Sequence, residues 1–302
     1  ATEAIERGDI KFYPENKKPQ VLQYYAGIRD WNLSRQIPWG IPIPAFQNTA
    51  DPDDWIYDER VDEPHITVNG QTYRREEDTF DTWFSSGQWP FITTDHLDGG
   101  ALSRFYPLSV METGHDILYP WVARMIMLGL KVTGQVPFKE VYLHGLVLDS
   151  RGQKMSKSKG NVINPMETLS EYGSDALRLG LVSARSAGQN QAFATDKVIA
   201  GRNFCNKLWN IARFIEDKLG ENFHPGTPVP SSLADQWIIR ELTGASQQVE
   251  ALLADYRFSE AADTVYHTIW SSLADWYVEA AKQQNNPDML AWALDAALRL
   301  AH

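Results

Sequence analysis

The sequence predicts an α/β layered domain followed by an all-α bundle, and three observations carry that reading. From residue 108 to the helix beginning at Pro165, apolar strand-like runs alternate with helical periods in the order strand, helix, strand, loop, helix. Beyond about residue 186 the pattern changes to long amphipathic helices. A Pro/Gly-rich run, His224-Pro-Gly-Thr-Pro-Val-Pro230, separates the first of those helices from the second.

Taken in order, residues 19–28 read as a short helix, followed by the proline-punctuated stretch Ile37-Pro-Trp-Gly-Ile-Pro-Ile-Pro44. Residues 49–80 are polar and rich in turns, with one strand pair. In it His65-Ile-Thr-Val68 and Gln71-Thr-Tyr73 flank Asn69-Gly70, a dipeptide that tolerates the positive φ angles of a tight hairpin. Residues 108–113, just after Pro107, read as a buried strand leading into Gly114-His-Asp116. A helix follows, with Asp116 as its N-cap, Pro120 in its first turn, and Ile117, Trp121 and Met125 on one face. Residues 141–148 form a second strand entering a lysine-rich loop. The loop leaves through Asn164-Pro-Met-Glu167, where Asn164 caps, Pro165 takes the first helical position and Glu167 completes a capping box.

The bundle helices are expected at 195–219, 233–256, 259–284 and 289–302, with Gly220 stopping the first. Trp209, Trp237, Trp270 and Trp276 recur at helical spacing among apolar residues, which puts them in the bundle core. No internal repeat or low-complexity tract is present.

Composition narrows the function classes. With 302 residues there is room for two domains with real cores, and 43% hydrophobic against 22% charged residues is ordinary for a soluble globular protein. The longest apolar run, residues 117–130, is broken by Pro120, Arg124 and Gly129, so no membrane span is expected. The first residues lack both an initiator methionine and a signal-peptide layout. A lone cysteine, Cys205, excludes internal disulfides and cysteine-rich zinc sites and suits a reducing compartment, so a cytoplasmic location is expected. The seven histidines show no metal-ligand spacing, and no structural metal is expected. A net charge of −11 argues against nonspecific coating of nucleic acid such as DNA, while leaving room for local basic patches.

Residues 154–160 read Lys-Met-Ser-Lys-Ser-Lys-Gly, just after the turn-like Asp149-Ser-Arg-Gly152. Such a loop offers ammonium and hydroxyl donors to an anion that gains charge during reaction. The competing reading is a solvated basic loop without chemistry. The stretch resembles the KMSKS loop of class I aminoacyl-tRNA synthetases, which closes over the triphosphate of ATP. Residues 28–36 and Trp39-Gly40 resemble the segment by which the large aliphatic members return from their editing insertion. Asp81-Thr-Trp-Phe-Ser-Ser86, Gly114-His-Asp-Ile-Leu118 and His144-Gly145 then come in the family's order. Tyr172-Gly-Ser-Asp-Ala-Leu-Arg178 and residues 202–210 match its stem junction and first anticodon-domain helix. The run Gly114-His-Asp-Ile-Leu-Tyr-Pro-Trp-Val-Ala-Arg-Met125 is most similar to valine-specific members.

The resemblance implies residues 1–25 as the trailing end of an editing insertion. It implies 26–185 as the C-terminal half of a Rossmann-like nucleotide-binding catalytic domain, and 186–302 as a helical anticodon-binding domain. Two family features are absent, the His-x-Gly-His motif and the body of the editing insertion. The chain therefore reads as a central-to-C-terminal fragment that should not form an adenylate alone.

The implied reaction activates valine with ATP, accompanied by Mg2+, and transfers it to tRNA(Val); a monomer is expected. Lys154 and Lys157 would stabilise charge on the departing pyrophosphate, Lys157 foremost, with Met155, Ser156 and Ser158 shaping the loop or bonding phosphate. Asp116 would accept from the ribose hydroxyls, with Gly114 permitting close approach, and His144, Gly145 and the backbone at Val147 would flank adenine. Trp83, Ile117 and Trp121 would wall the amino-acid pocket. For tRNA, Arg29 and Arg35 would approach the acceptor end, and Arg202, Asn203, Lys207 and Asn210 would lie along one helix. Each has a structural alternative: a helix cap for Asp116, a strand-end histidine for His144, aromatic core for the tryptophans, a solvated face for the helix residues. Two rival functions stay open, a non-catalytic tRNA-binding module and an isoleucine- or leucine-specific synthetase.

Overall fold

A computed structural model describes residues 1–183, 187–283 and 286–302. The chain divides into two compact units, Ala1–Leu143 and His144–His302. The expected boundary between residues 185 and 186 lies outside the described residues.

The first unit is built on a three-stranded sheet, with Phe138–His144 between Lys11–Tyr13 and Leu108–Gly114. Lys11–Tyr13 runs parallel to the central strand, with Lys11 opposite Glu140 and Tyr13 opposite Tyr142. Phe138, Val141 and Leu143 are fully buried against Leu118, Val122, Met125 and Ile126 from the connecting helix. Each such side chain contributes roughly 1.5–3 kcal/mol by leaving water. Val21 of the Lys17–Ala26 helix joins this core, and Tyr25 Oη donates to the Ala123 carbonyl at 2.7 Å.

The connecting helix differs from expectation at its start. It opens as a 3-10 turn at His115–Ile117, widens to a π-helix at Leu118–Ala123, and becomes regular only at Arg124–Thr133. Pro120 explains this: it has no N–H to give, and in an α-helix its ring would strike the carbonyl of Asp116. Asp116 is consequently inside the turn rather than its N-cap, and Gly114 takes the cap position.

Residues 45–75 fold into a four-stranded antiparallel sheet in the order Trp55–Tyr57, Ala45–Asn48, Gln71–Arg75, His65–Val68. Its expected hairpin is present, with Asn69 and Gly70 at φ 51° and 80° and Val68 opposite Gln71. Phe46, Ile66 and Tyr73 form its small core.

In the second unit the expected 141–148 strand is broken. It stops at His144, and a separate strand, Val147–Leu148, pairs in parallel with Gln191–Ala192. A loop then leads to the helix Pro165–Tyr172. Asn164 caps it by accepting from Met166 N at 3.0 Å, but Glu167 meets the cap's side-chain amide at 3.2 Å instead of completing a backbone capping box. The next helix, Ser174–Val182, packs closely on Thr195–Leu219, where a Cβ at Gly201 would fall 2.7 Å from the Ala176 carbonyl oxygen.

The bundle helices are Thr195–Leu219, Leu233–Ala254, a run from Phe258–His267 through the π-helix Thr268–Tyr277 to Val278–Ala281, and Pro287–Ala301. The expected end of the third helix at Gln284 lies outside the described residues. Ile211, Ile215, Ile238, Leu242, Ile269, Leu273, Tyr277 and Met289 make the core. Trp237 and Trp270 pack against it as expected, but Trp209 and Trp276 do not: they are 68% and 71% exposed. The buried stripe runs Phe204, Leu208, Ile211, Ile215 on one helix and Leu273, Tyr277 on the other, so each exposed tryptophan sits one position off it.

Candidate functional site

The first group of candidates lies in the first unit. Buried Gly114 ends the strand, and the 3-10 turn presents Asp116 to solvent with Ile117 half-buried beside it. One π-turn later Trp121 is half-buried, its Nε1 donating to the Ser86 carbonyl at 3.0 Å. Ser86 ends the short helix Thr82–Ser86, which carries Trp83. Trp83 and Trp121 thus belong to one local framework, joined through that helix.

The helix starts where it does because Asp81 caps it, accepting from Trp83 N at 3.0 Å. The same carboxylate, 6% exposed, accepts from Trp31 Nε1 at 2.9 Å and pairs with Arg35 Nη2 at 2.5 Å. Arg124 approaches it at 3.9 Å while its guanidinium covers the Trp31 ring, 3.5 Å from the centroid. Arg35 is therefore tied down inside this unit, whereas Arg29 is exposed.

The second group lies in the second unit. His144 is the last residue of its strand and half-buried. At Gly145 any side chain is excluded, because a Cβ would fall 1.6 Å from the Gln189 carbonyl oxygen. Leu146 N donates to Asn190 Oδ1 at 2.8 Å, and Val147 enters the two-residue strand, so segment 145–148 is stitched to segment 189–193.

Beyond Leu148 the chain makes a tight turn. Asp149 Oδ1 accepts from Arg151 N at 2.9 Å and Gln153 N at 2.8 Å, and Gly152 adopts φ 76°. An isolated bridge joins Leu148 to Lys154. Lys157–Lys159 form a 3-10 turn closed by Gly160 at φ 66°. Lys154, Lys157 and Ser158 are exposed, while Met155 and Ser156 are half-buried. Met155 Sδ accepts from Ile163 N at 3.5 Å, and the Ser156 and Ser158 hydroxyls are 3.2 Å apart. Asn161 ties the loop together: its Oδ1 accepts from Ser156 N at 2.9 Å, and its Nδ2 donates to Asp149 Oδ2 at 2.8 Å and to the Lys154 carbonyl at 3.3 Å. The hydrogen bond from Asn161, with those from Gln153 N and Arg151 N, holds the Asp149 carboxyl below the usual carboxylate range.

The remaining candidates lie on the Thr195–Leu219 helix. Asn203 and Asn210 are exposed, as is Arg202, whose guanidinium is 5.5 Å from the Tyr172 ring centroid. Lys207 is engaged elsewhere, 2.8 Å from Asp275 Oδ1 and 4.9 Å from the Trp270 ring centroid.

Sequence reasoning passed over Asp81, Asp149 and Asn161 as organisers. The signal was there in part: an aspartate directly before a short helical run, and an Asp-x-x-Gly turn with an asparagine closing the loop. The convergence of Trp31, Arg35 and Arg124 on Asp81 spans residues 31 to 124, and no local pattern encodes it.

Comparison with known proteins bears on both units. A family model for class I tRNA synthetases (I, L, M and V) matches residues 1–193, and one for the anticodon-binding domain of tRNA ligase matches residues 235–302. Among curated proteins, the valine--tRNA ligases of Syntrophotalea carbinolica and Symbiobacterium thermophilum are each 41% identical to this chain along its whole length. That of Geobacillus stearothermophilus is 39% identical over 98% of it. The chain spans about a third of the length of these relatives, 34–35%. Among solved structures, a ternary LeuRS–tRNA–LeuAMS complex from Agrobacterium radiobacter superposes with a TM-score of 0.74 at 19% identity, covering 95% of this chain and 42% of that one. Methionyl-tRNA synthetase of Mycobacterium tuberculosis bound by methionyl-adenylate gives 0.72 at 17% identity, covering 99% and 56%. At such identities the likeness is one of fold, α/β followed by helices.

Proposed function

The chain belongs to the class I tRNA synthetases, and from that premise we propose that it serves the ATP-dependent joining of valine to tRNA(Val). The observation that carries the proposal is the residue 154–160 lysine loop, standing in a chain 41% identical throughout its length to valine--tRNA ligases.

In the proposed reaction the valine carboxylate attacks the α-phosphorus of ATP and the bond to the β-phosphate oxygen breaks. Pyrophosphate leaves, and the acyl group then passes from the adenylate to a terminal ribose hydroxyl of tRNA. Charge grows on the departing pyrophosphate, where Lys157 and Lys154 would supply donors. Asp116 would accept from the ribose hydroxyls next to Gly114. His144, the side-chain-free Gly145 and the Val147 backbone would border adenine, with Met155, Ser156 and Ser158 forming the loop around the phosphates. Trp83, Ile117 and Trp121 would bound a small apolar pocket sized for valine. Magnesium would enter with ATP on its phosphates; among the described residues no group of three or more His, Cys, Asp or Glu is arranged to hold a metal ion. Exposed Arg29, Arg202, Asn203 and Asn210 would meet tRNA, positioning its backbone without reading its sequence. Arg35 and Lys207 would contribute only by releasing Asp81 and Asp275.

The test is amino-acid-dependent ATP–pyrophosphate exchange, run with valine, isoleucine and leucine on this chain and on the complete gene product. Valine-dependent exchange in the complete product supports the proposal. Exchange driven by isoleucine or leucine would keep the class and overturn the specificity. No exchange, with tRNA still bound, would leave a binding module in place of an enzyme.

A further inference from the structure

We propose that Asn161 and Asp149 form a latch that fixes the shape of the lysine loop, with Asn161 a positioning residue for Lys154 and Lys157. Its place in catalysis rests on the reading of that loop as phosphate-binding.

One amide group links three parts of the loop. Asn161 stands at the exit, Asp149 at the entry, and Ser156 between the two lysines; the Asn161 side chain bonds to the second and third and also to the Lys154 carbonyl, at 2.8, 2.9 and 3.3 Å. The task needs a donor and an acceptor on one short side chain, which asparagine has. Aspartate at 161 would face the Asp149 carboxylate with like charge, and alanine would remove all three bonds. Asp149 contributes as an acceptor for three N–H groups, two of them in the turn that reverses the chain.

The latch grips backbone and amide groups and leaves the alternating lysines on the exposed side of the loop. A loop held this way presents its charges with little left to reorganise when an anion arrives, the condition under which fixed donors stabilise developing charge best. Of the other ties, the Leu148–Lys154 bridge and the Met155–Ile163 contact hold the entry arm, while the Ser156–Ser158 hydroxyl pair and the bonds from Lys159 N to Ser156 O and Gly160 N to Lys157 O hold residues 156–160 only to one another. Asn161 alone of these ties reaches the Ser156 amide.

The test uses this chain and reads the loop directly. Amide hydrogen exchange at Ser156 and tryptic cleavage after Lys154, Lys157 and Lys159 are compared in wild type, Asn161→Ala and Asp149→Asn. Both variants should exchange Ser156 and be cut in the loop about tenfold faster or more, Asn161→Ala more strongly, with the unfolding midpoint moving less than about 4 °C. Unchanged exchange at Ser156 in Asn161→Ala would overturn the latch. Inorganic pyrophosphate separates this from the phosphate reading: if it fails to slow cleavage of the wild-type loop while Asn161→Ala still opens Ser156, the latch stands and the phosphate role falls. In the complete gene product, Asn161→Ala should lower kcat for pyrophosphate exchange about tenfold or more with KM for valine unchanged, measured at a temperature where both proteins are fully folded so that a smaller folded fraction does not account for the loss.

Discussion

Arg35 Nη2 lies 2.5 Å from Oδ2 of Asp81, and that carboxylate also caps the helix bearing Trp83 and receives the indole N–H of Trp31. A residue expected at the tRNA acceptor end is thus tied to the carboxylate that starts the Trp83 helix. Removing the carboxylate strands a capping amide, an indole N–H and a guanidinium at once. Asp81→Ala should lower stability by about 2–4 kcal/mol, from lost capping and charge-assisted bonds together. Asp81→Asn, which keeps one acceptor, should lose less. Urea unfolding followed by tryptophan fluorescence reads both; equal stability of all three proteins would show that the node carries no weight.

Lys157→Ala should reduce valine-dependent pyrophosphate exchange by the complete gene product about a hundredfold, the usual scale for losing one donor aimed at developing charge. Lys157 is exposed and stands outside the hydrophobic cores. Its loss should therefore leave thermal unfolding where it was. Full exchange activity in this variant would remove the loop's assigned role.

How much of this was legible depended on how local the cause was. The Asn69-Gly70 hairpin, the Thr195–Leu219 helix and the Asn164 cap are set by neighbouring residues and could be read directly. The 3-10 and π-helical opening after Gly114 departs from the expected regular helix because Pro120 is not simply a tolerated first-turn residue: its ring would meet the carbonyl four positions back. The break at Gly145 was invisible, since it is imposed by the Gln189 carbonyl, a contact 44 residues away. The lysine loop was conspicuous by composition, yet the groups that shape it are Asn161 and the turn aspartate; the Asp-x-x-Gly turn is local, but its bond to an asparagine 12 residues on is not.

The exposed tryptophans give a contrast within one bundle. Trp209→Ala and Trp276→Ala should each change stability by less than about 0.5 kcal/mol, because both rings already stand in water. Trp270→Ala should cost about 2–3 kcal/mol, since its ring packs on the core, stacks on Tyr266 at 5.4 Å and carries Lys207. Guanidinium unfolding of the three variants decides this. A large loss at Trp209 would mean that it shares in the core after all.

Asp235 gives the bundle an acid limb whose sign can be worked out. Its side chain is fully buried at the start of the Leu233–Ala254 helix, in a reciprocal capping box with Ser232. Burial alone would raise its pKa, but bonds from Ser231 N, Tyr277 Oη at 2.8 Å, Asn286 Nδ2 at 3.0 Å and Ser231 Oγ outweigh that and hold it below the ordinary carboxylate value. A carboxyl depressed in the folded state adds stability that is present above its unfolded pKa, about 3.9, and is lost as pH falls through the lower folded value. Asp235→Asn cannot titrate there. It should be less stable than wild type at neutral pH by about 2–3 kcal/mol, and the gap should close as pH drops from about 5 to below 3. Tyr277→Phe removes one of the bonds, so it should shrink the acid limb partway and cost about 1 kcal/mol at neutral pH. Urea unfolding across that pH range measures both gaps. A gap for Asp235→Asn that stays constant with pH would mean that the carboxylate acts by its shape in the cap and not by its charge.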